Sequence, residues 1–264
     1  MNSFSFQRIW GMVLRQWYEM RHSPDRIIDS FFWPALDVIV WGMLTFFIDS
    51  FSSFNATSAI LGAMMFWAFT YSIQRDITMT TVQDLWDRNL YNVMASPLRP
   101  IELIVAAVLY AVMRLLVLFI LLISLAGALY HFSFFIFLPF LFFGLLTVAL
   151  FGVAFGIFTS GLIYRLGSNA QMLCWSGLAV LWPFVGVSYP IALLPTYVHF
   201  ISWAVPVTYV FEFVRAFIAT GAVPPLTAWI VPSLLSVLYI SISIWYFFYA
   251  FRHAKRRGWF VKMD

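Results

Sequence analysis

The sequence predicts an all-α integral membrane protein, a bundle of six transmembrane helices. Three observations predict it. The 264 residues are 63% hydrophobic, only 10% charged and have a mean hydropathy of +0.90, whereas soluble domains carry about 25% charged residues. The apolar residues gather into runs of membrane-crossing length, roughly 20 residues each. The basic residues fall almost wholly on alternate connections between those runs. The only cysteine, Cys174, lies inside an apolar run, so neither a disulfide framework nor a thiol metal site is expected. No period of 20–50 residues repeats, and 1–264 reads as one transmembrane domain.

Residues 1–26 lack the continuous apolar core and small-residue cleavage site of a signal peptide. Phe6, Trp10, Val13, Trp17 and Met20 recur at helical spacing, with Arg8, Arg15 and Glu19 elsewhere. Such a pattern predicts an amphipathic helix in the headgroup region; a helix packed on the end of the bundle is the alternative. Spans are expected at 27–48, 58–79, 101–129, 132–164, 168–189 and 226–250, with possible proline kinks at Pro34, Pro139 and Pro183. Tyr130 and His131 make a tight turn between the third and fourth. The tail 251–264 is basic.

Of the fifteen Lys and Arg residues, thirteen fall on one side of this six-span arrangement: Arg8, Arg15, Arg21, Arg26, Arg75, Arg88, Arg99, Arg165, Arg252, Lys255, Arg256, Arg257 and Lys262. Arg215 stands on the other side and Arg114 within the third span. The excess of positive charge puts both termini in the cytoplasm.

The longest polar interruption, 82–102, is therefore cytoplasmic. It reads VQDLWDRNLYNVMASPLRPIE. Asp84 to Met94 reads as a short helix with Leu85, Leu90, Val93 and Met94 apolar and Asp87 and Arg88 polar. Pro97 and Pro100 end it, because proline lacks the N–H that a helix interior needs. A short amphipathic helix in this place serves either a lipid surface or a groove on a soluble partner, and the partner is expected. On the opposite side, 190–225 is apolar but broken by Pro190, Pro195, Pro206, Pro224 and Pro225. Two short helices dipping in from the outer face are expected there, since broken backbone at membrane depth must be covered by protein or line a cavity.

Six spans, the run RNLYNVMASPLRPIELIVA after the second, and the run VGVSYPIALLPTYVHFISWAVPVTYVFEFVRAFIATG before the sixth together resemble the membrane subunit of ABC-2 type transporters. The resemblance covers essentially the whole chain. It implies a bacterial inner-membrane permease that works as a homodimer with two copies of a separate ATP-binding subunit. ATP and Mg would sit on that subunit, and this chain would bind no cofactor and catalyse nothing. The resemblance also makes 84–96 the coupling helix, with Asp84, Leu85, Asp87, Arg88, Leu90 and Met94 facing the ATPase. The family often has a glutamate pair in this helix, where Tyr91 and Asn92 stand here. The sequence contains no GxxxxGK[ST] run to cradle phosphate, which agrees with an ATPase on another chain. The implied function is export of a hydrophobic or amphipathic substrate: a lipid, a lipid-linked glycan or a drug.

Several residues are candidates for mechanism. Asp37 lies near mid-bilayer, where a bare carboxylate costs about 2.5–3.5 kcal/mol on insertion scales. Arg75, Asp76 and Arg114 are its candidate partners, either lining a path or merely orienting the first three spans. Asp25 and Asp29 read as interface charges. Gly152, Gly156 and Ser160 at four-residue spacing predict close helix packing, within the chain or between copies. Glu212 and Arg215, three apart, are placed to pair near the outer face, where with Pro195 and Pro206 they form a candidate outer gate. His131 and His199 lack metal-ligand spacing, so no metal site is expected. Lipid is the expected surrounding, with Trp and Tyr as interface anchors, and nothing points to nucleic acid. Two other functions follow from particular features. A proton-coupled secondary transporter would use Asp37. A lipid-modifying membrane enzyme would need a polar cluster at one membrane face, which the sequence does not supply.

Overall fold

The computed structural model describes residues 4–50, 57–87, 89, 92–93 and 96–256. Among them there are no strands. The amphipathic N-terminal stretch forms α1 (Phe6–Arg21). After Ser23, Pro24 opens α2 (Pro24–Asp49), as proline suits the first helical turn, where the missing N–H is not needed. A π-helical turn at Thr57–Leu61 leads into α3 (Gly62–Trp86). Pro100 opens α4 (Pro100–Tyr130), which His131 ends in the left-handed conformation at φ 52°. There His131 N–H donates to Gly127 O and Phe132 N–H to Ala126 O, so two terminal carbonyls are satisfied. A 3-10 turn at Phe134–Phe137 precedes α5 (Leu141–Leu166). Pro139 thus stands ahead of the helix and does not kink it, contrary to expectation. The chain closes with a 3-10 turn at Leu226–Trp229 and α10 (Ile230–Arg256), after the short helices described below.

Four helices are long and apolar enough to cross a membrane: Pro24–Asp49, Pro100–Tyr130, Leu141–Leu166 and Leu226–Arg256. The fifth long helix, α3, carries too many polar residues for that class, and the reason is its position. It is the axis of the bundle. Nineteen of its residues are buried, including Arg75, Asp76 and Asp84, so polar side chains here meet protein and not lipid.

The expected span 168–189 is not one continuous helix, which corrects the sequence reading. It runs through a 3-10 turn (Gly167–Ala170), α6 (Leu173–Ser176), a second 3-10 turn (Ala179–Leu181) and α7 (Trp182–Val185), ending at Gly186 with φ 70°. Gly167, Gly177 and Pro183 explain the breaks. The segment nevertheless follows α3 from end to end. Trp86 Nε1 donates to Gln171 Oε1 (2.9 Å), Tyr71 OH donates to the Trp175 carbonyl (3.1 Å), and Trp67 and Trp182 are in ring contact at 6.1 Å. Ser188 reaches Met64. From Met64 to Trp86, α3 rises about 33 Å, close to the thickness of a hydrocarbon core of about 30 Å.

The proline-broken segment 190–225 holds α8 (His199–Ala204) and α9 (Pro206–Thr220). The helical run Thr196–Ala204 and α9 meet at 105°. Pro206 sits at the break, at the start of α9. An aromatic cluster of Phe66, Phe69, Phe134, Phe137, Phe140 and Phe217 joins α3, the 3-10 turn before α5 and α9 in mostly edge-on and tilted contacts, the geometry ring quadrupoles favour.

Gly152 and Gly156 lie in the seam between α5 and α3, within the chain. A Cβ at Gly152 would stand 2.7 Å from the Thr70 carbonyl, and one at Gly156 would stand 2.9 Å from Ile77 Cβ. Ser160 Oγ donates to the Ile77 carbonyl (3.4 Å), and the Thr78 and Thr159 hydroxyls pair across the same seam at 2.5 Å. We expect Gly152→Ala to destabilise the protein by about 1–3 kcal/mol through overpacking against backbone. Gly11→Ala, on a helix face with nothing within 4 Å, should instead stabilise it by about 0.5–1 kcal/mol. Unfolding of both variants in lipid nanodiscs checks the pair; equal effects would contradict the seam.

Candidate functional site: the clamped end of the bundle and an aromatic cavity

At the end of the bundle that holds the N-terminal helix, α1 lies against the first turns of α4. Ile9, Met12 and Val13 pack on Ala106, with Leu98, Leu103 and Leu109 around them. The buried face of α1 is Ile9, Met12, Val13, Gln16 and Met20, which only partly matches the face expected from sequence. Val13 and Met20 point inward and Trp17 is half-buried, while Phe6 and Trp10 are exposed and stack on each other at 6.4 Å. The helix has two apolar sides. One packs on the bundle, and the other, with Leu14 and Tyr18, is left exposed.

Two ion pairs fix α1. Glu102, wholly buried, accepts from Arg8 Nη2 (2.6 Å) and Nε (3.1 Å), from the Ser5 backbone N–H (3.0 Å) and from the Arg99 backbone N–H (2.9 Å). The last bond closes a capping box, with Pro100 at the first helical position and Glu102 at the third. Such a box satisfies N–H groups that a helix start leaves orphaned. The paired Arg8 contacts form a fork, the strong geometry for a guanidinium on a carboxylate. The second pair is Arg15 with Asp84; Arg15 also donates to Glu19 (2.7 Å), and Arg26 stands 3.5 Å from Glu19.

These bonds change the reading of the predicted coupling residues. Asp84 and Leu85 belong to the last turn of α3, not to a separate loop helix. Both are buried, Asp84 against Arg15 and Leu85 in a core with Val82, Ile104 and Ala107. The sequence hides this boundary because the polar stretch begins inside the helix, where burial among partners permits charge. Asp87 caps α3 and is exposed. Arg88, Leu90 and Met94 lie outside the described residues. Around them, Val93 N–H donates to Asn89 O (3.0 Å) and Ser96 N–H to Asn92 O (3.1 Å), both at helical spacing. Arg8, Arg15 and Glu102 were missed as anchors; Pro100 and Glu102 at the first and third helical positions were the available signal.

Inside the bundle, Arg75, Asp76 and Arg114 come together, but not around Asp37. Arg114 Nη1 donates to Asp76 Oδ1 (2.6 Å), and its guanidinium lies over the Phe31 and Tyr110 rings at 5.6 and 5.7 Å. Arg75 Nη1 donates to the Asp29 carbonyl (2.6 Å) and carboxylate (3.2 Å), and Nη2 stands 3.8 Å from Asp76. Asp37 shares a cavity of about 530 Å³ with Arg75. The cavity is lined by Asp29, Trp33, Pro34 and Asp37 of α2, Trp67, Ala68, Tyr71 and Arg75 of α3, and Trp175, Ala179 and Trp182 of the broken segment.

At the other end, Glu212 Oε1 accepts from Arg215 Nη2 (2.7 Å) and from the Ile191 backbone N–H (3.1 Å), while Arg215 Nη1 donates to the Val187 carbonyl (3.4 Å). The two residues therefore tie α9 to the turn that leaves the broken segment. Pro195 and Pro206 mark breaks in the backbone and are not part of this tie.

A model of the ABC-2 type transporter family matches residues 7–218. The chain belongs to the ABC-2 type transporter family. It is thus the multi-pass membrane component of an ABC transporter, a permease and not itself a catalyst, in a family whose members normally work with an ABC ATPase. The match runs from α1 into α9, so it takes in the clamp, the cavity and the bend between α8 and α9. A search of curated proteins returns no match.

We expect Arg15→Ala to destabilise the permease by about 3 kcal/mol at most, the low end for breaking a buried pair because a quarter of the Arg15 side chain is exposed. The double variant Arg15→Ala/Asp84→Asn should recover part of the loss, since no buried charge is then left without its mate. Thermal unfolding in nanodiscs measures this; a double variant no more stable than Arg15→Ala would contradict it.

Proposed function

We propose that the chain is the permease of an ATP-driven exporter for a hydrophobic or amphipathic substrate. It works as a homodimer with two copies of a separate ATPase, at a bacterial inner membrane. The observation that carries this reading is the double clamp on the loop between α3 and α4, in a chain of the ABC-2 family. Force applied to a loop moves a bundle only if the loop's roots are rigid. Here one root, the end of α3, is held by Arg15, and the other, the start of α4, is held by Arg8.

In this reading the loop from Asp87 onward docks on the ATPase, and Asp84 and Leu85 transmit the push without touching it. ATP and Mg bind on the partner chain. The six crossings are α2, α3, α4, α5, the broken segment 167–188 and Leu226–Arg256. The full-height contact of the broken segment with α3 supports the fifth of these. Both termini are then cytoplasmic, as the basic residues require, and the exposed apolar side of α1 rests in the lipid headgroups. The bent pair α8–α9 dips in from the outer face and closes the exit, held by Glu212 and Arg215. Rocking of the clamped inner end against this outer closure opens the path alternately to each side.

The test is co-purification with candidate ATPases of the host, followed by ATP hydrolysis in nanodiscs. Reversing the charges of Asp87 and Arg88 together should weaken the complex or its coupled hydrolysis, and reversing the exposed Asp87 alone should leave permease stability within about 0.5 kcal/mol. A permease that binds no ATPase, or a complex indifferent to the reversal, would contradict the assignment.

A further inference from the structure

The cavity between α2, α3 and the broken segment has a composition that specifies a ligand. Its lining residues fall at helical spacing on all three elements: Asp29, Trp33 and Asp37 on α2, Trp67, Tyr71 and Arg75 on α3, and Trp175, Ala179 and Trp182 on the third. Four indole rings and one phenol thus face one space. A volume of about 530 Å³ lies within the usual range of roughly 300–1,000 Å³ for small-molecule sites.

The charges around it do not balance. Asp29 is answered by Arg75 and Asp76 by Arg114. That uses both guanidiniums on two of the three carboxylates. The remaining one, Asp37, has no hydrogen bond or ion pair among the described residues. It sits about two turns above Asp29 on the same face of α2. An intramembrane carboxylate without a cation is costly, and aromatic faces attract cations, tryptophan most strongly. The excess negative charge and the aromatic walls therefore ask for the same thing: a positive group carried on an apolar body.

Resting on the permease reading, we infer that this cavity binds the transported substrate and that the substrate is a cationic amphiphile, its positive group held by Asp37 and its apolar part by Trp67 and Trp182. Neutral and anionic amphiphiles of the same size are then discriminated against at this site. The aromatic rings supply affinity for any apolar body, and Asp37 supplies the choice of sign.

The probes are tetraphenylphosphonium and tetraphenylborate, ions of nearly the same shape and opposite charge. Binding is measured by equilibrium dialysis against the purified permease in phosphatidylglycerol nanodiscs, with empty discs subtracted. Asp37→Asn should weaken tetraphenylphosphonium by roughly tenfold and leave tetraphenylborate within about twofold. Asp37→Glu should restore most of the preference, and Trp182→Ala should weaken both ions. Adding phosphatidylethanolamine separates two sources of the positive group: competition points to a lipid amine, and no competition to a diffusible cation. Wild-type protein that binds both ions alike, or Asp37→Asn that binds the cation as wild type does, would overturn the inference. So would an Asp37→Asn variant whose only change is loss of the dimer, which would give Asp37 to a contact between copies. None of these measurements needs the ATPase, so their failure leaves the permease assignment standing, and failure to bind an ATPase is read separately.

Discussion

Glu102, its own side chain wholly buried, accepts four hydrogen bonds, and the end of the molecule that holds α1 is assembled on it. One bond starts α4 and another fixes the chain entering α1. The remaining two bring a guanidinium across from α1. A buried carboxylate tolerates no partial solution, because each unmet oxygen costs free energy that a surface residue would recover from water. The requirement to satisfy Glu102 therefore forces α1 down onto α4. Once α1 is there, Arg15 reaches Asp84 and the end of α3 is drawn into the same unit. The polar loop between α3 and α4 thus leaves from two roots that α1 holds.

A second constraint acts deeper in the bundle. α3 carries Arg75 and Asp76 next to each other, and the surrounding helices are arranged to answer them. Arg114 comes from α4, Asp29 from α2, and the aromatic faces of Phe31 and Tyr110 cover the Arg114 guanidinium. On its far side α3 meets glycines of α5, where closeness is needed, and on another it meets the broken segment. That segment packs on α3 and opens on a cavity. The one carboxylate left over, Asp37, faces that cavity, and the chemistry proposed for the site grows from this surplus.

Much of this was legible in the sequence. The proline pattern foretold a bent pair of short helices, since proline acts locally and its effect survives any packing. The tight turn at Tyr130 and His131 and the small-residue seam of Gly152 and Gly156 were visible for the same reason. What failed did so where the answer depended on which helix faces which. Helical spacing put Phe6 and Trp10 on the same face as Val13 and Met20, but α1 is apolar on two sides and only α4 decides which is buried. Arg114 and Arg75 were reasonable mates for Asp37 by depth alone, yet lateral position gave them to Asp76 and Asp29. The run 168–189 was apolar enough to span, and apolarity does not tell an unbroken helix from one interrupted at Gly167, Gly177 and Pro183. The loop helix was begun too early, at Asp84, because a charged residue normally signals an exit from the core and here it is paired inside it.

The central claim is that α1, the end of α3 and the start of α4 move as one body when the partner ATPase turns over. Spin labels at the exposed positions Tyr18 on α1 and Val112 on α4 report on that body, and a third at the exposed Tyr197 reports on the outer closure, with Cys174 replaced by Ser. Distances would be measured by pulsed electron resonance in nanodiscs, in the assembled transporter with and without ATP and vanadate. The account predicts an unchanged Tyr18–Val112 distance and a changed Tyr18–Tyr197 distance. A Tyr18–Val112 distance that shifts with nucleotide would show that α1 is a hinge and not a clamp, and would contradict the account.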